Sequence, residues 1–333
     1  MKRKTNVATP IAHLVGPGQM KVINGHIAFK RHGEDSVRLE PTALTDVYCY
    51  GEVSITGAAL DLLFRHSVNT AWFTPAGARC RGRLTRTDSS TTATRLRQHQ
   101  VFASVPNRTD WARIIVNAKI QSVLETIRRY QRSGVPTESL LGDLSGYQER
   151  VKTATTTDEI RGLEGATSAA WFRYFGTLLE APWYFTTRSR RPPKDPVNAL
   201  LSLAYTWLLN KTTAALEARG YEIYLGGLHE YRPGRPSLSC DLMEPLRISA
   251  VDRWVISICN QQAINPNTFV MDEQGGYRLK PTSFGSMIFL WEKFWSEKQF
   301  DDTIILNIRV LDTFIRGRVS QDLLTEELSE QDL

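Results

Sequence analysis

Cysteine is scarce in this sequence. Four residues (Cys49, Cys80, Cys240, Cys259) are scattered over 333, and no two form a C-x-x-C pair. That spacing argues against zinc knuckles and disulfide frameworks, and it fits a reducing cytoplasm. Long apolar runs are missing too: no uninterrupted stretch is long enough to cross a bilayer, so no membrane role is expected. The opening MKRKTNVATP is basic, but no apolar segment follows it, so it does not read as a secretory signal. There is no G-x-x-x-x-G-K-[ST] loop, hence no sign of nucleotide hydrolysis as an energy source. The zincin pattern H-E-x-x-H fails, because the position four after His229 is Pro233. No internal repeat is evident.

What is present is ordinary in bulk. Hydrophobic residues make up 41% and charged residues 23% of the chain, as in a folded globular protein. The length suffices for two domains with sizeable cores. Net charge is +6 and the pI about 9.1, a mild basic excess that favours polyanionic partners.

The first third reads as strand. MKVINGHIAFKR sets Asn24-Gly25 between two alternating apolar runs, and that dipeptide supplies the positive φ angles of a type I′ turn, so a hairpin is expected. TDVYCYGEVSI and VNTAWFTP are further strands, and TPAGARCRGRL predicts a second hairpin at Ala76-Gly77. One short helix is expected near TGAALDLLFRH. TRTDSSTTATR (85–95) reads as a linker. Helical periodicity follows in RLRQHQVFASV, WARIIVNAKIQSVLETIRRYQRS, TTTDEIRGLEGATSAAWFRYFGTLL, PVNALLSLAYTWLLNKTTAALEARG and the run after Asp241. The expected fold is α+β and multidomain: a small, sandwich-like β domain over 1–88, then a larger all-α domain over 89–333. The acidic tail LTEELSEQDL reads as frayed.

Three places carry chemistry. Thr156-x-x-Glu159 is a capping-box pattern, so a helix should start there. Within it Gly162, Gly165 and Ala169 give a bare strip open to another element or a nucleic-acid backbone. Glu164 lies one turn from Ile160 and from Ser168, on a partly buried face. A carboxylate there needs an ion pair, a hydrogen bond or a metal, and a bridge to a lysine or arginine is the plain alternative. His229 follows the glycine pair of GGLHEYRPGRP, and taken alone it reads as a surface or hydrogen-bonded histidine. Asp241 and Glu244 are three apart, on one face of a helix; their like charges repel unless a cation or proton intervenes. Pro245 argues for a helix that begins close to Asp241. Glu164, His229 and one or both of Asp241 and Glu244 together make a mixed nitrogen–oxygen donor set, suited to Mg²⁺ or Mn²⁺.

Basic residues fall nearby. Arg188, Arg190, Arg191 and Lys194 stand beside stiff prolines, Arg232 and Arg235 lie in YRPGRP, and Arg247 follows Glu244 by one helical step. Guanidinium groups grip phosphate with two parallel bonds, so the distribution fits a nucleic-acid backbone, a solvated basic loop being the alternative.

IRGLEGATSAAWF, SRRPPKDPVNALLSLAYTWL and YLGGLHEYRPGRPSLSCDLMEPLR closely resemble the signature blocks of the CRISPR-associated spacer-integration endonuclease family, over about residues 95 to 294. The resemblance implies a β domain followed by a helical catalytic domain. It implies a homodimer that assembles with a dimer of the small second adaptation protein and acts on DNA, joining a protospacer duplex to the CRISPR repeat. It places the metal-binding residues at Glu164, His229 and Glu244, with Asp241 as an accessory acid and Arg247 at a position that is basic in relatives. The chain departs from the family pattern at Lys119-Ile120-Gln121-Ser122, which lacks the usual Asn, and at Pro245, where an acidic residue is usual. The alternatives are a non-catalytic DNA-binding subunit whose acids only pair with arginines, and an unrelated metal-dependent hydrolase of a small substrate.

Overall fold

A computed structural model describes residues 11–77, 79–84, 91–131 and 137–318. The chain divides into two compact units. One comprises 1–88, 190–207 and 266–301; the other comprises 89–189, 208–265 and 302–333.

The first unit is built on two four-stranded sheets. Strands β1 (Ile11–Val15), β5 (Asp46–Tyr50), β7 (Asn69–Phe73) and β8 (Cys80–Leu84) lie side by side in that order, the first three parallel. The second sheet runs β4 (Ser36–Leu39), β3 (His26–Arg31), β2 (Gly18–Ile23), β6 (Val53–Ile55). The hairpin expected at Asn24-Gly25 joins β2 to β3, with φ of 50° and 79° at its two central residues. The second expected hairpin joins β7 to β8, with Gly77 at φ 65°. Leu14 and Val47 from one sheet, Met20 and Ile27 from the other, and Leu63 of helix α1 (Gly57–Arg65) share one core. Both sheets thus contribute to one shared core, as a two-sheet sandwich requires, and β5 is buried along its whole length. Thr56 caps α1 by accepting from the Ala59 N–H at 3.4 Å.

Segments distant in sequence complete this unit. Strands β9 (Phe269–Met271) and β10 (Tyr277–Leu279) form a small antiparallel ladder that interrupts the helical pattern. Helix α9 (Phe284–Glu297) carries an aromatic face: Phe284 meets Tyr50 at 4.9 Å between ring centroids, and Trp291 meets Trp207 and Trp295. Gly77 is glycine for two reasons, its positive φ and the Phe284 ring that would lie 2.9 Å from a Cβ.

The second unit is helical. Its elements are α2 (Thr92–Ala103), α3 (Val105–Gln131), α4 (Glu138–Thr153), α5 (Thr157–Thr177), the later half of α6 (Pro196–Glu217), α7 (Ser237–Met243), α8 (Arg253–Asn260) and most of α10 (Phe300–Arg316). Two expectations need correction. The linker read over 85–95 is shorter than that, because α2 already begins at Thr92; residues 85–90 lie outside those described. The helix expected to begin near Asp241 begins at Ser237 and continues past Pro245 as a rod of changing pitch. It is a 3₁₀ turn over Glu244–Leu246, π-wound over Arg247–Asp252, then α8. Proline is tolerated there because it sits in the first turn of the 3₁₀ segment, where a backbone donor is not needed. Helix α4 was not anticipated, since its sequence is polar with only Leu144 and Val151 buried. The acidic tail and the basic N-terminal run lie outside the described residues.

Candidate active site

The capping box at the start of α5 forms in full: Thr156 Oγ1 accepts the Glu159 N–H, and the Glu159 carboxylate accepts the Thr156 N–H. This sets the phase of the helix. Ile160, Leu163 and Trp171 then face inward, while Glu164 and Ser168 stand at the edge of the core. Gly162, Gly165 and Ala169 are exposed, and a Cβ at either glycine would meet nothing within 4 Å, so the bare strip faces open space.

The loop 226–229 and helix α7 are locked together by Asp241. Its side chain is wholly buried and accepts from the backbone N–H of Gly227 (2.8 Å), Leu228 (3.0 Å) and His229 (2.9 Å), and from the Trp111 indole (3.2 Å). A buried carboxylate is tolerated because fixed donors replace its water. The glycines permit this closeness: a Cβ on Gly226 would lie 2.8 Å from the Asp241 carboxylate, and one on Gly227 2.6 Å from Trp111.

Asp241 also fixes the imidazole. His229 Nδ1 lies 2.7 Å from Asp241 Oδ1. Since the carboxylate only accepts, the proton belongs on Nδ1, which leaves a lone pair on Nε2. That nitrogen lies 3.9 Å from Glu244 Oε1. Glu244 is buried, which by itself would raise its pKa. The neighbouring charges of Arg247 and Lys119 outweigh burial and hold it down, to about 2.

Sequence reading names Lys119 only as part of a departure from the family pattern, with no role assigned to it. It lies on the buried stripe of α3, flanked by Ile115, Val116, Ile120 and Val123, and is 1% exposed. Its ammonium donates to Glu164 Oε1, to Ser168 Oγ at 2.8 Å and to Glu244 Oε2 at 2.7 Å. Ser168 in turn donates to Glu164 at 2.9 Å. The lysine bridge weighed as the plain alternative for Glu164 is therefore present, and the same ammonium joins Glu164 to Glu244. The available signal was a lysine at core spacing, which is almost never buried without a partner.

Glu164, His229 and Glu244 thus gather around one spot, with Asp241 behind the histidine. Among the described residues, no three histidine, cysteine, aspartate or glutamate side chains stand ready to hold a metal ion. The donor chemistry nonetheless suits a hard divalent cation: two carboxylates already share one positive group, and an imidazole nitrogen with a free lone pair is adjacent.

The basic residues divide. Arg190, Arg191, Lys194 and Arg232 are exposed. Arg188 bonds the Ser189 carbonyl, and Arg235 turns back onto the Glu230 carbonyl. Arg247 points at Glu244, with Nε 3.1 Å from Oε1, so its first role is to neutralise that acid. Sequence reading missed Arg129 and Arg253, which line a pocket of about 190 Å³ with Ser122, Thr126, Ser249 and Glu125. Burial lowers the Arg253 pKa first, and the charge of Arg129 beside it lowers it further. Trp171 and Trp183 are core residues, whereas Tyr184 is exposed. Among the described residues no helix is long and apolar enough to cross a membrane.

Comparison with known proteins gives one answer. The family described as CRISPR associated protein Cas1 matches residues 13–293. A CRISPR-associated endonuclease Cas1 of Thermus thermophilus is 33% identical over 272 residues, which is 81% of this chain and 79% of that protein. A Cas1 structure from Thermotoga maritima superposes with a TM-score of 0.81 at 20% identity, over 93% of this chain and 97% of the other. A casposase bound to an integration product gives 0.77 at 21% identity, over 97% and 99%. At such identities the two structures speak for the fold, and the family match speaks for membership: the chain belongs to the Cas1 family, the endonucleases and integrases of CRISPR adaptation.

Proposed function

We propose that Glu164, His229 and Glu244 hold a divalent cation, Mg²⁺ or Mn²⁺, and that the site inserts protospacer DNA into a CRISPR array by attack of a 3′-hydroxyl on a repeat phosphodiester. When bound, the ion supplies Lewis acidity, polarising a phosphate oxygen and easing ionisation of the attacking hydroxyl or water. One phosphodiester is exchanged for another, so no nucleotide energy source is needed. The same groups serve hydrolysis when water is the nucleophile.

The observation that carries this reading is the chain Asp241–His229–Glu244. Asp241 holds the proton on Nδ1, so Nε2 presents its lone pair beside an ionised carboxylate. Asp241 itself is too enclosed to reach an ion; it is a positioning residue. Arg188, Arg190, Arg191, Lys194, Arg232 and Arg235 are proposed to hold phosphates, and Arg247 to steady Glu244 beside the reacting one. Arg129 and Arg253 join them: two guanidinium groups side by side are relieved by an anion. Glu125 on the same rim is engaged by the Gln121 amide. The proposed working form is a cytoplasmic homodimer, assembled with the dimeric small second adaptation protein.

The Lys119 bridge favours one other reading, a non-catalytic DNA-binding subunit whose acids are merely paired. An integration assay separates the two. Labelled duplex DNA, a repeat-containing target and the partner protein are incubated with Mn²⁺ or Mg²⁺, then with chelator. Strand joining is expected only with metal, and is expected to vanish in His229→Ala and Glu244→Gln. Joining that survives in both variants excludes this site. DNA binding without joining in the wild type favours the second reading.

A further inference from the structure

Resting on the metal reading above, we propose that Lys119 is a built-in counter-cation, and that loading the site is an exchange in which a divalent ion displaces the Lys119 ammonium from between Glu164 and Glu244.

Three observations carry this. First, the ammonium stands where a shared cation would stand. It touches Glu164 and Glu244 at once, and its third partner, Ser168, is itself bonded to Glu164. All three donors of the ammonium are spent on these groups, so it fills the space between the two carboxylates that a shared ion would take. Second, the enclosed charges decide against coexistence. Glu164, Asp241 and Glu244 bring three negative charges, against the two positive charges of Lys119 and Arg247. Adding a divalent ion while Lys119 stays leaves the cluster with an excess positive charge in a poorly solvated place. Adding it while the ammonium leaves makes the cluster neutral. Third, the lysine stem suits a group that moves. It is a flexible four-carbon chain ending in a compact charge, whereas the other fixed cation, Arg247, is a planar fork seated on the opposite oxygen of Glu244.

The bridge also explains how the metal-free protein tolerates two carboxylates facing one another. Without a cation between them they repel, and one would take up a proton. Lys119 offsets that repulsion and holds both in place, so the donors stay gathered before an ion arrives. The price is competition, and Lys119 sets how much free divalent ion the protein needs.

The test is a Mn²⁺ titration of the metal-free, full-length protein, with free Mn²⁺ read by its paramagnetic resonance signal and melting temperature measured in parallel. Lys119→Met removes the charge and keeps the length of the side chain. It is expected to bind Mn²⁺ at least about tenfold more tightly than the wild type. Its metal-free form is expected to melt lower, and to recover more on Mn²⁺ addition than the wild type does. Should Lys119→Met fail to fold without metal, Lys119→Gln, which keeps a donor for Ser168, is titrated instead. Equal or weaker Mn²⁺ affinity in the folded variant overturns the exchange. Glu244→Gln separates the two ideas. If wild-type binding is lost in Glu244→Gln yet unchanged in Lys119→Met, the metal site stands and the exchange falls. If the wild type binds no Mn²⁺ that Glu244→Gln removes, both fall.

Discussion

Asp241 and Glu244 are three residues apart in one helical rod and equally hidden, yet they are held in opposite ways. Asp241 is gripped by donors that cannot leave: three backbone N–H groups, an indole and an imidazole. Glu244 is balanced instead by the charged ends of two side chains, Lys119 and Arg247. The difference separates architecture from chemistry. A carboxylate tied to main chain shapes a loop, whereas one tied to side-chain cations keeps its charge facing the other acid of the cluster.

Several substitutions would break or sharpen that contrast. The largest effect is expected at Asp241→Ala, which strands several buried donors at once. A loss of about 3–5 kcal/mol in urea unfolding is expected, and a loss below about 1 kcal/mol would remove the distinction. Glu244 should show itself through acid instead. Its folded pKa of about 2 lies below its ordinary value of 4.5, so its stabilising contribution is complete above that value and is lost as pH falls through the folded pKa. Urea melts between those pH values should show a slope in the wild type that Glu244→Gln lacks; equal slopes would refute the charge balance. Trp111→Phe keeps an aromatic side chain and deletes one donor to Asp241. About 2 kcal/mol is expected, together with a weakened hold on His229, visible in the imidazole proton resonances. The smallest effect is expected outside the cluster. Arg190→Ala and Arg191→Ala should each reduce the salt dependence of DNA binding by about one unit of slope, leaving stability unchanged. An unchanged slope takes that residue off the DNA path.

These contrasts also show what a sequence discloses. Asn24-Gly25 announced its hairpin because the turn needs two positive φ angles that few residue pairs supply. Thr156 and Glu159 announced the start of α5 because both halves of the capping box lie within four residues. Glu164, His229 and Glu244 were legible through the family blocks around them, and their convergence is visible only in three dimensions. Lys119 stayed silent because its partners are 45 and 125 residues away. Read locally, it is one more lysine in a long helix, and only its place between Val116 and Val123 hints that it points inward. Arg253 was hidden for a related reason: its neighbour Arg129 lies on another helix, and nothing local brings the two together. The winding of 244–252 left no local trace beyond Pro245.

That winding has its own consequence. A π turn admits one residue more than an α turn of equal height, so residues 247–252 take up a length of chain that a uniform helix would pass along as rotation. At its last residue, Asp252 receives the indole N–H of Trp171 at 2.7 Å, and Trp171 lies on the same helix as Glu164. Excising a single residue such as Ser249 would restore plain α winding and leave everything beyond it in phase, where the same loss from a uniform helix would swing the rest by about 100°. Asp252 would still face its indole, so the two helices that present Glu164 and Glu244 would keep their common anchor although the chain between Glu244 and Asp252 had lost a residue.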